Sequence, residues 1–330
     1  MTQLLVFREH LQKFYQKYTS FLNLLFRFLI GFIAFSSVNQ MIGYNPAFNH
    51  ISVELLLAAV SMLMPGSVLL FFTAFFSVVH IFYVSRILAL VIAVVFLIFY
   101  FGYAKFVPKH AYIICAVPIA VPFHLAYAIP IVAGLVMTPV AIVPISFGVG
   151  IYYLLQAVKS VVSVSNDSSL NLYQAVLQQF FGCREMYVML AVFALVTIIV
   201  YILRNREWDF AFEIAIVAGA VSNTILFLVI NYIFSIDIKM VPFLMGTFGS
   251  AVGAWFVQFM RLALNYAGVE NLQFEDEEYY YYVRAVPKMN VAAPSKRVKR
   301  INARHFSEHM PDMKEKEKKN KTKDLDEDVR

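Results

Sequence analysis

The sequence predicts an all-α polytopic membrane protein, and three observations support that fold class. Of the 330 residues, 60% are hydrophobic and only 15% are charged, and the mean hydropathy is +0.68. Residues 1–265 contain 13 Lys/Arg and 8 Asp/Glu, whereas residues 266–330 contain 14 and 13. Soluble proteins carry about 25% charged residues. A body so poor in charge cannot form a polar surface in water, and it therefore requires lipid around it.

Residues 1–18 are predicted to form an amphipathic helix that lies at the membrane interface. Its apolar positions recur at spacings of three and four, and they are Leu4, Phe7, Leu11, Phe14 and Tyr18. The polar face consists of Arg8, Glu9, Gln12, Lys13 and Lys17. An aromatic apolar stripe opposite a cationic face is typical of interfacial helices. The alternative is an ordinary amphipathic helix packed on protein.

Residues 19–265 are predicted to form a transmembrane bundle with six firm spans. Each span is 18 to 24 residues long, and about 20 residues are needed to cross the bilayer core. Their bounds are 21–38, 87–104, 139–158, 186–203, 211–234 and 242–264.

Two further apolar regions, 53–84 and 111–136, are predicted to be broken. Pro65 and Gly66 interrupt the first region, and Pro122 and Pro130 interrupt the second. Proline removes a backbone donor, so a break at membrane depth requires protein or water to satisfy the freed groups. Each region is either one kinked crossing or a re-entrant hairpin. The basic residues of the short loops slightly favour hairpins, and both alternatives put the two termini in the cytoplasm.

The C-terminal part is predicted to be a cytoplasmic juxtamembrane motif, 266–304, followed by a disordered charged tail, 305–330. A strand is predicted at 283–291, interrupted by a proline. Two groups in this motif are candidates for partner or lipid contact. They are the run Tyr279, Tyr280, Tyr281 and Tyr282, and the basic block of Lys296, Arg297, Lys299 and Arg300. Basic residues near a membrane attract anionic lipid.

Polar residues within the apolar regions form a candidate polar pathway, because burying ionisable groups in lipid is costly and marks functional routes. The candidates are Glu213, Asn223, His80 and His124. Each also has a structural interpretation, such as an interfacial carboxylate, an interhelical hydrogen bond or a packed histidine. Small residues in the last span predict close helix packing, and they are Gly246, Gly249 and Gly253.

The sequence contains no motif for a phosphate loop, a zinc protease or a nucleophile elbow. Cys115 and Cys183 lie in separate segments without a metal-binding spacing. We therefore predict a non-enzyme with no catalytic, cofactor-binding or metal residues. The net charge of +6 does not predict a nucleic-acid binder either, since a basic patch must be displayed on the surface to bind phosphates.

Three segments together resemble a known family. They are YAKFVPK at 103–109, IPIVAGL at 129–135 and FEDEEYYYYVRAVPK at 274–288. The chain resembles, over about residues 51–304, an uncharacterised family of bacterial multi-pass membrane proteins that end in an acidic, tyrosine-rich motif. The resemblance implies a bacterial plasma-membrane location. It implies no activity and no functional residues.

The leading functional interpretation is a transporter or permease of unknown substrate, with broken helices around a central cavity. The alternative is a non-transporting scaffold of an envelope or membrane complex, whose C-terminal tail binds a partner. A third interpretation is lipid handling at a re-entrant hairpin. The expected partners are the lipid bilayer and either further copies of the chain or another protein at the tail.

Overall fold

The computed structural model describes residues 2–164, 169–234, 240–262, 270–275 and 280–285, and these are mostly helical. In the first half of the chain, the helices are α1 Thr2–Lys17, α2 Thr19–Ile42, α3 Ile51–Ser61, α4 Gly66–Val84, α5 Arg86–Phe99 and α6 Ala111–Ala120. A π-helical turn, Tyr100–Ala104, extends α5. The remaining helices are α7 Ala128–Val136, α8 Ile142–Val164, α9 Ser169–Gly182, α10 Arg184–Arg204, α11 Ala211–Phe234 and α12 Met240–Leu262. A 3₁₀ turn, Pro139–Ala141, precedes α8.

Seven helices within the described residues are long and apolar enough to cross a membrane. This confirms a helical, multi-pass membrane protein. Six of the seven coincide with the six predicted spans, and the seventh is α4, in the predicted broken region 53–84. Pro65 and Gly66 divide that region unequally, because the 11-residue α3 precedes them and the 19-residue α4 follows.

Helix α3 runs back along α2. Asn39, near the end of α2, bonds Glu54, near the start of α3, at 2.7 Å. Gly31, in the middle of α2, lies against Ala58 and the Ser61 hydroxyl, near the end of α3. The two helices are therefore antiparallel, and α3 covers only the second half of α2.

Helix α4 then resumes the direction of α2. The rings of Phe35 and Phe76 lie 5.5 Å apart. Further along α4, Nδ1 of His80 accepts from the N–H of Asn45, which lies in the loop just after α2, at 3.2 Å. Both residue numbers rise together, so α4 is parallel to α2. The segment α3–α4 is a helical hairpin whose turn, 62–65, lies level with the middle of α2.

Helices α6 and α7 form a second hairpin. Tyr112, at the start of α6, lies against Gly66, at the start of α4, and Cys115, further along α6, contacts Thr73, further along α4. Helix α6 is therefore parallel to α4. At the start of α7, the ring of Tyr127 packs 6.4 Å from the ring of Phe193 in α10. Further along α7, Gly134 lies against Val200, which is also further along α10. These contacts make α7 parallel to α10.

Helix α8 relates the two hairpins to each other. Gly148 lies against Ile114 and Val117 of α6, and the later residue Lys159 donates to the Gln40 carbonyl at the end of α2. Helix α8 is thus parallel to α2 and α6. Helix α10 is antiparallel to α8, because Glu185 at its start lines the same cavity as Tyr152 and Tyr153 in the second half of α8. At the other end, Arg204 near the end of α10 bonds Leu135, which lies shortly before the start of α8. It follows that α6 and α7 point in opposite directions.

Within the described residues, two large apolar clusters form most of the core, and a smaller third cluster lies between α4, α6 and the π-helical turn. One contains residues of α2, α4, α5, α9 and the second half of α8, with Phe35, Leu88 and Leu154 fully buried or nearly so. The other contains residues of α7, α10, α11, α12 and the first half of α8, with Ile131 and Phe193 fully buried. Helix α8 therefore joins the two halves of the bundle.

The N-terminal segment is helical, as α1, but its polar face differs from the prediction. Phe7 and Phe14 are exposed, whereas Arg8 is only 8% exposed. The Arg8 guanidinium lies 6.0 Å from the ring centre of Phe259 in α12, within the range of a cation–π contact. The side chains of Leu4 and Gln12 lie outside the described part. An interfacial position for α1 stays a prediction.

The C-terminal motif contains a two-stranded antiparallel hairpin of β1, Glu270–Glu275, and β2, Tyr280–Ala285. Phe274 pairs with Tyr281, and Glu275 pairs with Tyr280. The strand begins three residues earlier than the predicted 283–291, because the tyrosines themselves favour extended backbone. Tyr279 and residues 286–330, including Lys296, Arg297, Lys299 and Arg300, lie outside the described residues.

Candidate functional site

The turn between α6 and α7, residues 121–127, is the tip of the second hairpin. Pro118 lies in the last turn of α6, and Pro122 follows its end. His124 has a left-handed backbone with φ of 57°, a conformation in which histidine is enriched among non-glycine residues. The Leu125 N–H donates to the Ala120 carbonyl at 3.0 Å and closes the turn.

Helix α12 holds this turn in place. Gly246 lies directly against the His124 carbonyl, where a Cβ atom would collide with the backbone oxygen. One turn later, the Ser250 hydroxyl approaches the Leu125 carbonyl at 3.5 Å, and Gly249 lies against the Leu125 side chain. Small residues thus let α12 approach the turn closely, which agrees with the small-residue packing of membrane helices.

A cavity of about 310 Å³ opens beside the turn, between α8, α10 and α11. Its polar lining consists of His124, Tyr127, Tyr152, Tyr153 and Glu185. Apolar side chains of the turn, α10 and α11 complete the described walls. This volume is at the lower end of the roughly 300–1,000 Å³ of small-molecule sites, which combine apolar walls with a few polar groups.

Aromatic packing fixes the position of Tyr127. Its ring lies 5.4 Å from Phe227 and 5.2 Å from Phe243, both in edge-to-face geometry. The neighbouring rings of Tyr152 and Tyr153 lie 5.2 Å apart, also edge to face. Such pairs are more favourable than their buried area alone explains. The cavity therefore has rigid aromatic walls.

Glu185 gives the cavity its charge. It lies in the first turn of α10, where the positive end of the helix dipole stabilises a carboxylate. Its side chain is exposed to the open space. The described lining contains no lysine or arginine, so the cavity has a net negative character. A carboxylate beside aromatic faces is the chemistry that binds ammonium groups.

The structure places one of the four candidate pathway residues, His124, in this cavity. His80 is fully buried in the other half of the bundle, 4.6 Å from the Phe76 ring in edge-to-face geometry. Glu213 accepts from Nε2 of Gln258 in α12 at 2.7 Å.

Asn223 is fully buried in α11, and neither its Oδ1 nor its Nδ2 has a hydrogen-bond partner among the described residues. Together with His80 and Glu213, it is outside the described lining of the cavity. A single pathway through all four residues stays a prediction.

The other predicted positions are distributed as follows. Gly246 and Gly249 pack against the turn, whereas Gly253 faces open space. Pro65 precedes α4 and Pro122 lies in the turn 121–127, but Pro130 lies in the first turn of α7, where proline is compatible with a helix. Tyr280 and Tyr281 are exposed on β2, and the Tyr282 side chain is outside the described part.

Four lining residues were missed in the sequence: Tyr127, Tyr152, Tyr153 and Glu185. The adjacent tyrosines Tyr152 and Tyr153 could have indicated a polar site, because two neighbouring hydroxyls are unusual within a predicted span. Glu185 lies one residue before the predicted span 186–203, so it is not among the polar residues within the apolar regions.

Comparison with protein-family models, with curated proteins and with solved structures gives no match to this chain. The geometry of the site and the resemblance of the sequence motifs are therefore the basis for a functional proposal.

Proposed function

We propose that this chain is a transporter or permease of the bacterial plasma membrane, and that the cavity beside residues 121–127 holds the solute. The cavity carries the proposal, because polar groups converge at the tip of a broken helix inside a bundle of membrane-length helices. Broken helices that line a cavity are a common design of transporter binding sites. The bacterial plasma membrane comes from the sequence resemblance.

The helix directions support six crossings, by α2, α5, α8, α10, α11 and α12. In this topology, α3–α4 and α6–α7 are re-entrant hairpins that enter from opposite faces. Both termini then lie on one face, together with the short loops that carry Lys105, Lys109, Arg204 and Arg206. Basic residues accumulate on the cytoplasmic side, so we assign both termini to the cytoplasm.

The solute class proposed for the cavity is a small organic cation. Glu185 supplies the counter-charge, and the rings of Tyr127, Tyr152 and Tyr153 supply aromatic faces. The tyrosine hydroxyls add hydrogen-bonding capacity at fixed positions. A volume of about 310 Å³ accommodates a compact quaternary or primary amine.

Uptake by proteoliposomes tests the proposal. The purified full chain is reconstituted, and the entry of radiolabelled tetraethylammonium and choline is compared with entry into protein-free vesicles. We expect uptake by the wild-type protein and a decrease of at least about tenfold in Glu185→Gln, which corresponds to about 1.4 kcal/mol. Glu9→Gln is the control, because Glu9 is paired with Lys13 in α1, outside the described cavity lining.

The outcomes separate the proposals. Equal uptake by Glu185→Gln and wild type contradicts the cavity assignment, and no uptake of either cation contradicts the organic-cation class.

The scaffold alternative is favoured by the exposed tyrosines of β2, Tyr280 and Tyr281. A chain that ends at residue 262 retains uptake if the bundle alone transports. Loss of uptake with the bundle still folded in the membrane favours the scaffold.

A further inference from the structure

A second cavity, the α4–α5 groove, has a volume of about 260 Å³ and lies between α4, α5 and α8. Within the described part of the chain, it shares no lining residue with the cavity beside residues 121–127. Small side chains on both helices, Ala74 in α4 and Ala93 in α5, line its walls, and Ile151 of α8 lies behind them. Tyr100 is the one polar residue of the described lining. Apolar cavities of this kind stay dry, so a ligand for the groove must itself be apolar there.

The α4–α5 groove opens on the outside of the bundle. Three of its lining side chains, Phe71, Phe75 and Leu97, are themselves exposed. Leu90 and Ile98, on the same helix as Leu97, are exposed as well. Both helices are long and apolar enough to cross a membrane, so the medium around these side chains is hydrocarbon. The groove is therefore open to the acyl chains of the bilayer.

The π-helical turn lies at one end of the groove. Tyr100 begins this turn, and its ring lies 5.3 Å from the ring of Phe71 near the start of α4. The Lys105 N–H donates to the Tyr100 carbonyl at 3.0 Å, so Lys105 follows Tyr100 by one wide turn. Single π-helical turns within α-helices are frequent at functional sites. The irregular turn thus joins the lined groove to a basic residue.

A line of contacts leads from the groove to the ammonium of Lys105. The rings of Tyr100 and Phe101 lie 5.4 Å apart, and Nζ of Lys105 lies 5.3 Å from the centre of the Phe101 ring. Lys105 is exposed, and the next residue, Phe106, is 74% exposed. Exposed aromatic and basic side chains side by side are typical of the headgroup boundary. Lys109, in the same loop, is also exposed and adds a second positive charge.

We propose that the α4–α5 groove and Lys105 together bind one anionic phospholipid of the cytoplasmic leaflet. An acyl chain occupies the groove, and the phosphate lies beside the Lys105 ammonium. Apolar contact alone does not distinguish a lipid chain from another helix, because lipid tails are as apolar as leucine. The positive charge at the end of the groove selects an anionic headgroup. The cytoplasmic side rests on the topology under the proposed function, which places the loop of Lys105 and Lys109 on that face.

Native mass spectrometry of the delipidated full chain tests the headgroup contact. Phosphatidylglycerol and phosphatidylcholine with identical acyl chains are titrated separately, and we expect the wild type to bind phosphatidylglycerol more tightly. Lys105→Gln should reduce this preference about fivefold, the contribution of one basic residue near the membrane surface. The matched control is Arg86→Gln, because Arg86 is exposed at the opposite end of α5 and also lies over a ring, that of Phe82. An unchanged preference in Lys105→Gln, or an equal loss in Arg86→Gln, overturns the headgroup site.

A second variant tests the acyl-chain site. In Ala93→Phe, the ring takes the space of the chain and removes its contacts, so the affinity for both lipids should fall by on the order of fivefold. The control is Ala59→Phe, since Ala59 is exposed on α3, outside the described lining of the groove.

Lys105→Gln changes only an exposed side chain, and it keeps the test decisive if Ala93→Phe does not fold. Equal lipid binding by folded Ala93→Phe and the wild type overturns the proposal. A wild-type dimer that Ala93→Phe dissociates, with lipid binding unchanged, identifies a second copy of the chain as the occupant and also overturns it. The measurement needs no solute uptake, so its failure is distinct from a failure of the proposed transport.

Discussion

The two helical hairpins, α3–α4 and α6–α7, carry their polar side chains at opposite ends. In α3–α4, Glu54 and His80 lie at the open end beside the loop 43–50. The turn 62–65 at its tip is apolar, with Leu63 67% exposed. In α6–α7, the tip itself carries His124 and Tyr127, and it faces the cavity.

This difference shows how one type of break leads to two kinds of environment. Polar groups at the open end of α3–α4 bond to the adjacent end of α2, and the site becomes closed and buried. At the tip of α6–α7, the seven-residue turn does not pack like a helix, so space remains between α8, α10 and α11. The position of polar residues relative to the break therefore determines whether they form buried hydrogen bonds between helices or line a cavity.

The largest expected effect concerns the close contact between α12 and the tip of α6–α7. In Gly246→Ala, the new Cβ collides with the His124 carbonyl, which is backbone and cannot rotate away. Overpacking of this kind costs typically about 1–3 kcal/mol, and we expect the upper part of that range. Thermal unfolding of the purified chain in detergent, followed by circular dichroism, should show a midpoint lower by on the order of 5 °C.

Two alanine variants serve as controls for Gly246→Ala. Gly253 lies in the same helix and has nothing within 4 Å of the new Cβ, so Gly253→Ala should stabilise the chain by up to about 1 kcal/mol. In the other hairpin, Gly31→Ala meets the Ser61 hydroxyl, which is able to rotate, and the loss should be smaller. Equal unfolding midpoints for Gly246→Ala and Gly253→Ala would contradict a close contact between α12 and the turn 121–127.

Much of the fold could be predicted from the sequence, because membrane spans depend on local composition. The six predicted spans correspond to long helices, and both proline-broken regions contain two helices separated by a turn. Pro65 and Gly66 mark the break of the first region, and α3 and α4 lie on either side of it. The direction of α4, parallel to α2, depends on contacts such as Phe35–Phe76.

The candidate site could be predicted only in part. His124 was identified because it lies in a broken region. Tyr152, Tyr153 and Glu185 come from α8 and α10, and their proximity to the turn depends on helix packing that the sequence does not specify. Glu54 was also missed, because a single glutamate near the start of an apolar helix looks interfacial until its burial against Asn39 is known.

A smaller effect is expected from the end of the α6–α7 hairpin. Nη1 of Arg204, in the last turn of α10, donates to the Leu135 carbonyl in the last turn of α7. Basic side chains that bond the final carbonyls stabilise a helix terminus. Arg204→Met removes this bond and should cost about 1.5 kcal/mol, the lower end for hydrogen bonds to charged groups. The unfolding midpoint in detergent measures the loss.

The matched control is Arg206→Met, since Arg206 lies two residues later in the exposed loop. Its substitution should leave the midpoint within about 0.5 kcal/mol of the wild type, as is usual for surface positions. If both variants lower the midpoint equally, the positive charge of the loop rather than the bond to Leu135 stabilises this hairpin.

The smallest expected effect concerns pH at the open end of α6–α7, where His110 precedes α6. Its Nδ1 lies 2.6 Å from the Tyr103 hydroxyl, and burial lowers the pKa of His110. The unfolded chain, with a histidine pKa of about 6.5, then binds more protons than the native chain. The free energy of unfolding therefore has its full value above about pH 6.5, and it decreases as the pH falls towards the lowered pKa of His110 in the native state.

This part of the pH dependence should lower the midpoint of thermal unfolding of the wild type by on the order of 1 °C. His110→Gln should abolish it. The control is His50→Gln, because His50 precedes α3 in the equivalent position of the other hairpin but is exposed. Midpoints measured from about pH 5 to about pH 8 separate the two. If His50→Gln flattens the curve as much as His110→Gln, the open ends of the hairpins do not differ in the way that their burial indicates, and the acid sensitivity has another origin.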